Sequence, residues 1–399
     1  MRILLTANAS YVPPRGGATR SNLIWLDHLA RQGHQCRIVS GASGPGAELR
    51  HHASIGVLAV EEPARRVLAL RRQIQEFRPD WVLVSSEDLG HALLREAHHS
   101  AAGRVVYLAH TPQFFPFGPA SWNPDAQAAR LVAEAAGIVA IGHHMAGYIL
   151  QALGRPATVI HPPLYGTGPF THYANFARGR VVMINPSAVK GVSIFVRVAE
   201  RFPAHEFAVL PGWGTTAEDR RLLERLPNVR FLPPAPDIDD VLAGTRVLLM
   251  PSLWYEGFGL IVMENMLRGI PVVASDSGGL KEAKAGTRYV IPVKTIERYQ
   301  AVFDELGMPK PVVPENDPAP WFAALEELLA DRAAYEKESA ASRRAALAFV
   351  GALDSAAMER YLAELRPAEP AHERTSVESL TPEKRALLLQ RLHKRKMVP

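Results

Sequence analysis

The chain has 399 residues, 47% of them hydrophobic and 21% charged, with 29 glycines and 32 prolines, the proportions of an ordinary globular protein rather than a disordered one. Its length predicts two or three domains with proper cores, and a single cysteine, Cys36, rules out an intrachain disulfide framework. The net charge of +5 raises the question of nucleic acid, yet residues 381–399 alone hold Lys384, Arg385, Arg391, Lys394, Arg395 and Lys396 against Glu383. The rest of the chain is formally neutral, so no nucleic-acid partner is expected. No uninterrupted apolar run approaches the ~18 residues of a membrane span, and residues 1–7 are too short for a signal core, so the expectation is a cytoplasmic protein.

In chain order, residues 2–7 read as a strand, followed by a loop with Gly16-Gly17. A helix capped by Ser21 and carrying Leu23, Leu26 and Leu29 comes next, and Gly33 ends it. Strand-like runs recur at 36–40, 81–85, 105–108, 138–141 and 158–160, with helical patterns between several of them. Such alternation predicts a parallel sheet covered on both faces. Residues 166–179 read as a linker. A second series of runs follows at 181–184, 206–210, 229–232, 247–250, 271–274 and 289–291. The expected organisation is an N-terminal, acceptor-side domain over 1–165 and a nucleotide-sugar domain over 180–345, both Rossmann-like. A C-terminal helix over 346–366 is expected to return to the first domain, and 367–399 to form a polar linker and basic tail helix. Five prolines in residues 308–320 exclude a helix or central strand there.

The most informative segment is residues 251–279, PSLWYEGFGLIVMENMLRGIPVVASDSGG. It reads as a loop bearing Glu256, a Gly257-Phe258-Gly259 turn, a helix from Leu260 holding Glu264, a stop at Gly269, and a strand running to Gly278-Gly279. Glycines ahead of a helix let backbone N–H groups approach a phosphate at the positive end of the helix dipole.

This segment resembles the retaining glycosyltransferases of family 4, whose hallmark is two glutamates separated by seven residues around a Gly-Phe-Gly-Leu turn. The resemblance extends to Gly16-Gly17, Gly33-His34 and Lys190-Gly191, and covers roughly residues 1–360. It implies an α/β fold of the GT-B architecture, with two facing Rossmann-like domains. It further implies retaining, metal-independent transfer from a nucleotide-diphosphate sugar, more readily UDP than GDP, with no cofactor required. Glu256, Lys190 and His110 would then be catalytic. Glu264 would hold the ribose, with Gly16, Gly17, Gly257, Phe258, Gly259 and Leu260 around the phosphates and Phe231, Leu232 and Pro233 lining the base. One position departs from the pattern: Asn185 stands five residues before Lys190, where the family commonly has an arginine. Arg15 is a candidate to replace that cation. The departure motivates a second reading, a catalytically weak nucleotide-binding or docking protein. A nucleotide-sugar epimerase is a third.

Four further signals stand out. Asp237 and Asp239 have the look of a metal motif but precede a helix, where capping explains them. The pairs His51-His52, His98-His99 and His143-His144 lack metal-ligand spacing, because neighbours on a helix do not share a face. The stretch 110–122 concentrates Phe114, Phe115, Phe117 and Trp122, which reads either as a small core or as a wall for an acceptor with an apolar face, such as a small natural product or a lipid-linked molecule. The tail 381–399 has the pattern of a basic amphipathic helix, suited to a protein partner or a membrane surface.

Overall fold

The computed structural model describes residues 1–369, except positions 15, 43, 45, 174 and 236. The tail reading and Arg15 lie outside the described residues. Among those described, no helix is long and apolar enough to cross a membrane.

Among the described residues the molecule is built on two large sheets, with a small antiparallel pair, Tyr299–Phe303 with Pro309–Pro311, beside them. The first contains β1 (Arg2–Ser10), β2 (Gln35–Gly41), β3 (Ala47–His52), β4 (Ile55–Val60), β5 (Trp81–Ser85), β6 (Val105–Ala109), β7 (Gly137–Ala140) and β8 (Thr158–Val159). Their order is β3-β4-β2-β1-β5-β6-β7-β8. All neighbours are parallel except β3 and β4, an antiparallel edge pair. The second contains β9 (Arg180–Ile184), β10 (Phe207–Leu210), β11 (Val229–Phe231), β12 (Thr245–Met250), β13 (Val272–Ser275) and β14 (Val290–Ile291), in the order β11-β10-β9-β12-β13-β14. All of its pairs are parallel. The central strands are continuous apolar runs because helices cover both faces, and Ile3, Leu4 and Leu5 are all fully buried. This is an α/β fold of two Rossmann-like domains.

Strand order reverses at β1/β5 in the first sheet and at β9/β12 in the second. Ligands of open parallel sheets bind beyond the carboxyl ends of the strands at such switch points. The loop with Gly16-Gly17 follows β1, the loop with Lys190 follows β9, and the Glu256 turn follows β12. Topology therefore delivers the three candidate motifs to one crevice.

Several local expectations are revised. The first long helix is Gly17–Arg31, so Ser21 lies inside it, its hydroxyl donating back to the Gly17 carbonyl at 2.8 Å instead of capping. Two strands were not expected: the edge strand β3, which follows a glycine-rich turn and is mostly exposed, and its neighbour β4, a buried apolar run. The C-terminal segment is two helices. Arg332–Gly351 starts well before the expected boundary, and Ala357–Glu364 lies against the first domain. There the Trp81 indole donates to the Leu362 carbonyl at 2.9 Å, and Glu359 meets the His34 ring at 2.8 Å.

One apolar cluster runs through both domains, from Ile3, Leu5 and Leu26 through Phe258, Val262 and Met263 to Met358 and Leu362. The domains are thus joined by core-like packing and not only by the linker.

Candidate active site in the interdomain crevice

Two glycine-led helix starts face each other. Gly16 (φ 92°) and Gly259 (φ 109°) occupy the left-handed region immediately before the helices Gly17–Arg31 and Leu260–Leu267, and no side chain caps either helix. Their first N–H groups are left for a ligand. A Cβ on Gly17 would lie 3.0 Å from the Leu260 side chain, and one on Gly257 would lie 2.2 Å from the His110 carbonyl oxygen. Glycine at 257 is therefore what allows the two domains to approach this closely. The Phe258 side chain is buried against His161 and Phe349, so only its backbone faces the turn.

Lys190 and Glu256 meet at the floor of the crevice. The ammonium is 2.5 Å from Glu256 Oε1, which also accepts from the Ser252 hydroxyl at 2.6 Å. The same ammonium lies 5.7 Å from the centre of the Trp254 ring. Both charges are largely buried and each is the other's partner, the arrangement that keeps buried ions from being prohibitively costly.

Glu264 is buried one turn into its helix, and Arg20 of the first domain reaches across to it at 3.1 Å. Burial raises the Glu264 carboxyl above the usual carboxylate range, and the Arg20 guanidinium opposes that rise. Arg20 was not foreseen; only its spacing of four residues after Gly16 hinted that it points towards the same cleft.

His110 sits at the end of β6, 3% exposed. Its Nε2 lies 2.8 Å from Asn22 Oδ1. An amide oxygen can only accept, so the histidine proton lies on Nε2, while the Asn22 amide nitrogen donates to the Tyr11 hydroxyl at 2.7 Å and to the Ser85 hydroxyl at 3.2 Å. Nδ1 is then a buried lone pair with no protein partner. Burial pushes the imidazole down to about 3, so it is neutral at pH 7.

Asn185 ends β9 at φ 56°, with its Oδ1 accepting from the Gly214 N–H at 2.9 Å. Its Nδ2 and the Ser187 hydroxyl are both buried without a protein partner. Each lies 3.4 Å from the point a Gly214 Cβ would occupy. Two neutral donors thus stand where the resemblance led one to expect an arginine. Phe231 and Leu232 follow at the end of β11, both half-buried, while Pro233 is exposed.

The aromatic stretch divides. Phe115 and Phe117, expected as part of an acceptor wall, are 0% and 6% exposed and pack with Tyr107 and Tyr148 in the first domain's core. Apolar burial claims them because the chain turns back under helix His143–Leu153. Phe114 and Trp122 remain half-buried at the crevice, their rings 5.5 Å apart. Trp122 also meets Trp254 at 5.3 Å and Tyr299 at 5.4 Å, and Trp213 lies 6.2 Å from Trp254. The wall therefore draws on both domains, which no local pattern could show.

Asp237 accepts from the Asp239 N–H at 2.9 Å, while Asp239 pairs with Arg268 through a second contact of 2.8 Å. Both carboxylates are occupied by protein partners.

Comparisons with known proteins agree with this fold. Residues 15–164 match the family described as Glycosyltransferase Family 4, and residues 179–331 the family described as Glycosyl transferases group 1. The D-inositol 3-phosphate glycosyltransferase of Corynebacterium diphtheriae is 35% identical over 106 residues, 26% of this chain and 20% of that protein. Its counterpart in Corynebacterium jeikeium is 30% identical over 159 residues, 36% of this chain and 33% of the relative. The matched region thus spans a third or less of these curated relatives. Among solved structures, Anabaena HepE in complex with UDP-glucose superposes with a TM-score of 0.65 at 17% identity, covering 91% of this chain and 98% of that one. An α,α-trehalose-phosphate synthase (UDP-forming) from Burkholderia vietnamiensis gives 0.59 at 13% identity, covering 91% and 99%. With one family profile on each domain and the same pair of facing domains in the solved structures, the chain belongs to the family 4, group 1 glycosyltransferases and has their GT-B fold.

Proposed function

We propose that the protein transfers a sugar from a nucleotide-diphosphate sugar, UDP in preference to GDP, to a hydroxyl acceptor with retention at the anomeric carbon. The observation that carries this reading is the convergence of two uncapped, glycine-led helix starts and the Lys190–Glu256 pair on one crevice. Departure of a nucleoside diphosphate develops negative charge on phosphate oxygen. Fixed N–H groups at Gly16-Gly17 and Gly257–Leu260, together with Lys190, are suited to stabilise it in a site with little water. Glu256 holds the ammonium in place, and the Asn185 amide and Ser187 hydroxyl add uncharged donors beside it. Glu264 binds the ribose diol after exchanging part of its contact with Arg20. His110 offers its Nδ1 lone pair to a hydroxyl of the donor sugar. The acceptor hydroxyl attacks from the face the leaving group occupied, and its proton passes to the departing phosphate. No step requires a metal or cofactor.

On the acceptor side, the half-buried Phe114 and Trp122 favour a small molecule that presents a flat or C–H-rich face to the rings. Neutral polar groups of the first domain would orient its hydroxyls.

The test is a matrix of UDP- and GDP-sugars against hydroxyl acceptors, including D-inositol 3-phosphate, read by nucleoside-diphosphate release and by NMR of the product's anomeric configuration. Transfer with retention is expected, with donor binding strongly weakened in Lys190→Ala and Glu264→Ala. Donor titrations unchanged in both variants would overturn the site assignment. Acceptor-independent interconversion of the donor would identify an epimerase instead.

A further inference from the structure

Behind the crevice the two domains meet at a second polar contact. The helix His143–Leu153 of the first domain has no side-chain cap of its own. Its first two N–H groups, of His143 and His144, donate to the two carboxylate oxygens of Glu282 in the second domain, at 2.9 and 2.8 Å. A Cβ on Gly142 would stand only 3.0 Å from that carboxylate, so glycine there leaves it room to approach.

His161 faces the same carboxylate. Its Nδ1 is 2.8 Å from the Ile141 carbonyl oxygen, which can only accept, so Nδ1 carries the proton and Nε2 presents a lone pair. That lone pair lies 3.7 Å from Glu282 Oε1, and the ring is held in place by Phe258 and Phe349 at 5.3 and 5.0 Å. Two acceptors therefore confront each other in a half-buried position, too far apart for a short hydrogen bond. His143 completes the group, its ring 5.8 Å from that of His161. The ligand atoms of His143, His161 and Glu282 all lie within 4.8 Å of one another.

We propose that His143, His161 and Glu282 form a binding site for a divalent ion of the zinc class, bridging the two domains behind the active-site crevice. Zinc reaches nitrogen and oxygen ligands at about 2.0–2.2 Å, so two donors it bridges stand up to about 4 Å apart. The His161–Glu282 separation already meets that condition, and the exposed His143 ring offers its nitrogen within 4.8 Å of both. The supporting contacts are those that orient ligands around a metal: a backbone carbonyl on the far nitrogen of His161 and backbone N–H groups on both carboxylate oxygens. Imidazole with a carboxylate selects zinc over magnesium, which prefers an all-oxygen shell and retains its waters. Two ligands come from one domain and one from the other, so the ion would act as a structural tie. The adjacent pair His143-His144 does not act as a unit, since His144 turns to the Tyr255 hydroxyl at 2.5 Å.

The experiment is isothermal titration of the metal-stripped full chain with ZnCl2 and separately with MgCl2, with melting followed in parallel and Co²⁺ used as a spectroscopic probe. One zinc site is expected, with a raised melting temperature by mass action and no response to magnesium. His143→Ala and His161→Ala should each weaken binding by about tenfold or more, and both should lose the cobalt absorption that marks nitrogen ligation. His143 is exposed, so its variant tests ligation without risk to the core. His34→Ala serves as a control: His34 also pairs with a carboxylate, Glu359 at 2.8 Å, but both its ring nitrogens already have protein partners. That variant should bind zinc as the parent does. Absence of saturable zinc binding, or binding that survives unchanged in both His143→Ala and His161→Ala, would overturn the proposal and leave a His161–Glu282 ion pair alone.

Discussion

The two walls of the crevice are made of different chemistry. The second domain contributes ionised groups already matched at short range, Lys190 with Glu256 at 2.5 Å, and presents them beside a helix start. The first contributes uncharged groups: the His110 imidazole locked by Asn22, a glycine loop, and the rings of Phe114 and Trp122. Among the described residues Arg20 is an exception, a cation of the first domain that reaches Glu264 in the second. A diphosphate needs charge and N–H donors fixed before it arrives, whereas an acceptor hydroxyl needs orientation without a competing ion. If the crevice works as proposed, the contrast means that donor affinity and acceptor choice should respond separately, each to substitutions on one wall.

The substitutions that follow separate the walls from each other and from the core beneath them. Phe115→Ala should have the largest effect, a loss of about 3–5 kcal/mol in stability, because a fully buried ring leaves a cavity. Phe114→Ala should change the denaturation midpoint little. Similar midpoints for the two variants would show that the aromatic stretch is not divided between core and crevice. Next, Lys190→Ala should reduce kcat/KM about 10²–10³-fold, since a buried charged donor to the leaving group is lost and Glu256 is stranded. If KM for the acceptor rose in that variant while donor binding held, charge would not belong to the donor wall.

Gly257→Ala is a test of how closely the walls must meet. Its φ lies outside the left-handed region, so the added methyl's main conflict is with the His110 carbonyl at 2.2 Å across the crevice. A displacement of about 1 Å at the reacting centre costs on the order of 10²-fold in rate, the loss expected here together with a lower melting temperature, because the two domains share one apolar core. Full activity would mean that the domains work further apart than they stand. Trp122→Ala should raise the acceptor KM by about tenfold at most, in keeping with the ~0.5–1.5 kcal/mol of an aromatic contact, and leave donor titrations unaltered.

The smallest effect concerns pH. With burial holding the His110 imidazole down at about 3, below the 6.5 of a free imidazole, the unfolded chain binds more protons between those limits. This residue therefore makes stability rise with pH across that window and adds nothing further above it. The corresponding activity profile should show no inflection from His110 between pH 6 and 8. An inflection there that vanished in His110→Gln would show that the imidazole titrates and that the neutral character of the first wall is wrong.

Much of the fold was legible because parallel strands buried on both faces announce themselves as short apolar runs. The Trp81–Ser85 strand coincides with its prediction, while the exposed β3 had no such signature. The donor motif was legible for a related reason: Glu256, the glycine turn and Glu264 lie within nine residues, so helix geometry fixes their relation. The first wall was less so. Phe114 and Phe115 are neighbours of the same type, and only the path of the chain decides which is buried and which reaches the crevice.

What the sequence alone determined is therefore local: two series of strand and helix, a glycine-led helix start carrying a carboxylate, and a cationic excess confined to the tail. Tertiary structure decided the rest. Arg20 meets Glu264 across 244 positions, and the helix start at His143 meets Glu282 across 139. Such partners share no period or spacing along the chain. They come together because each sheet reverses its strand order at one point, and the packing of one domain on the other turns those two points towards a common crevice.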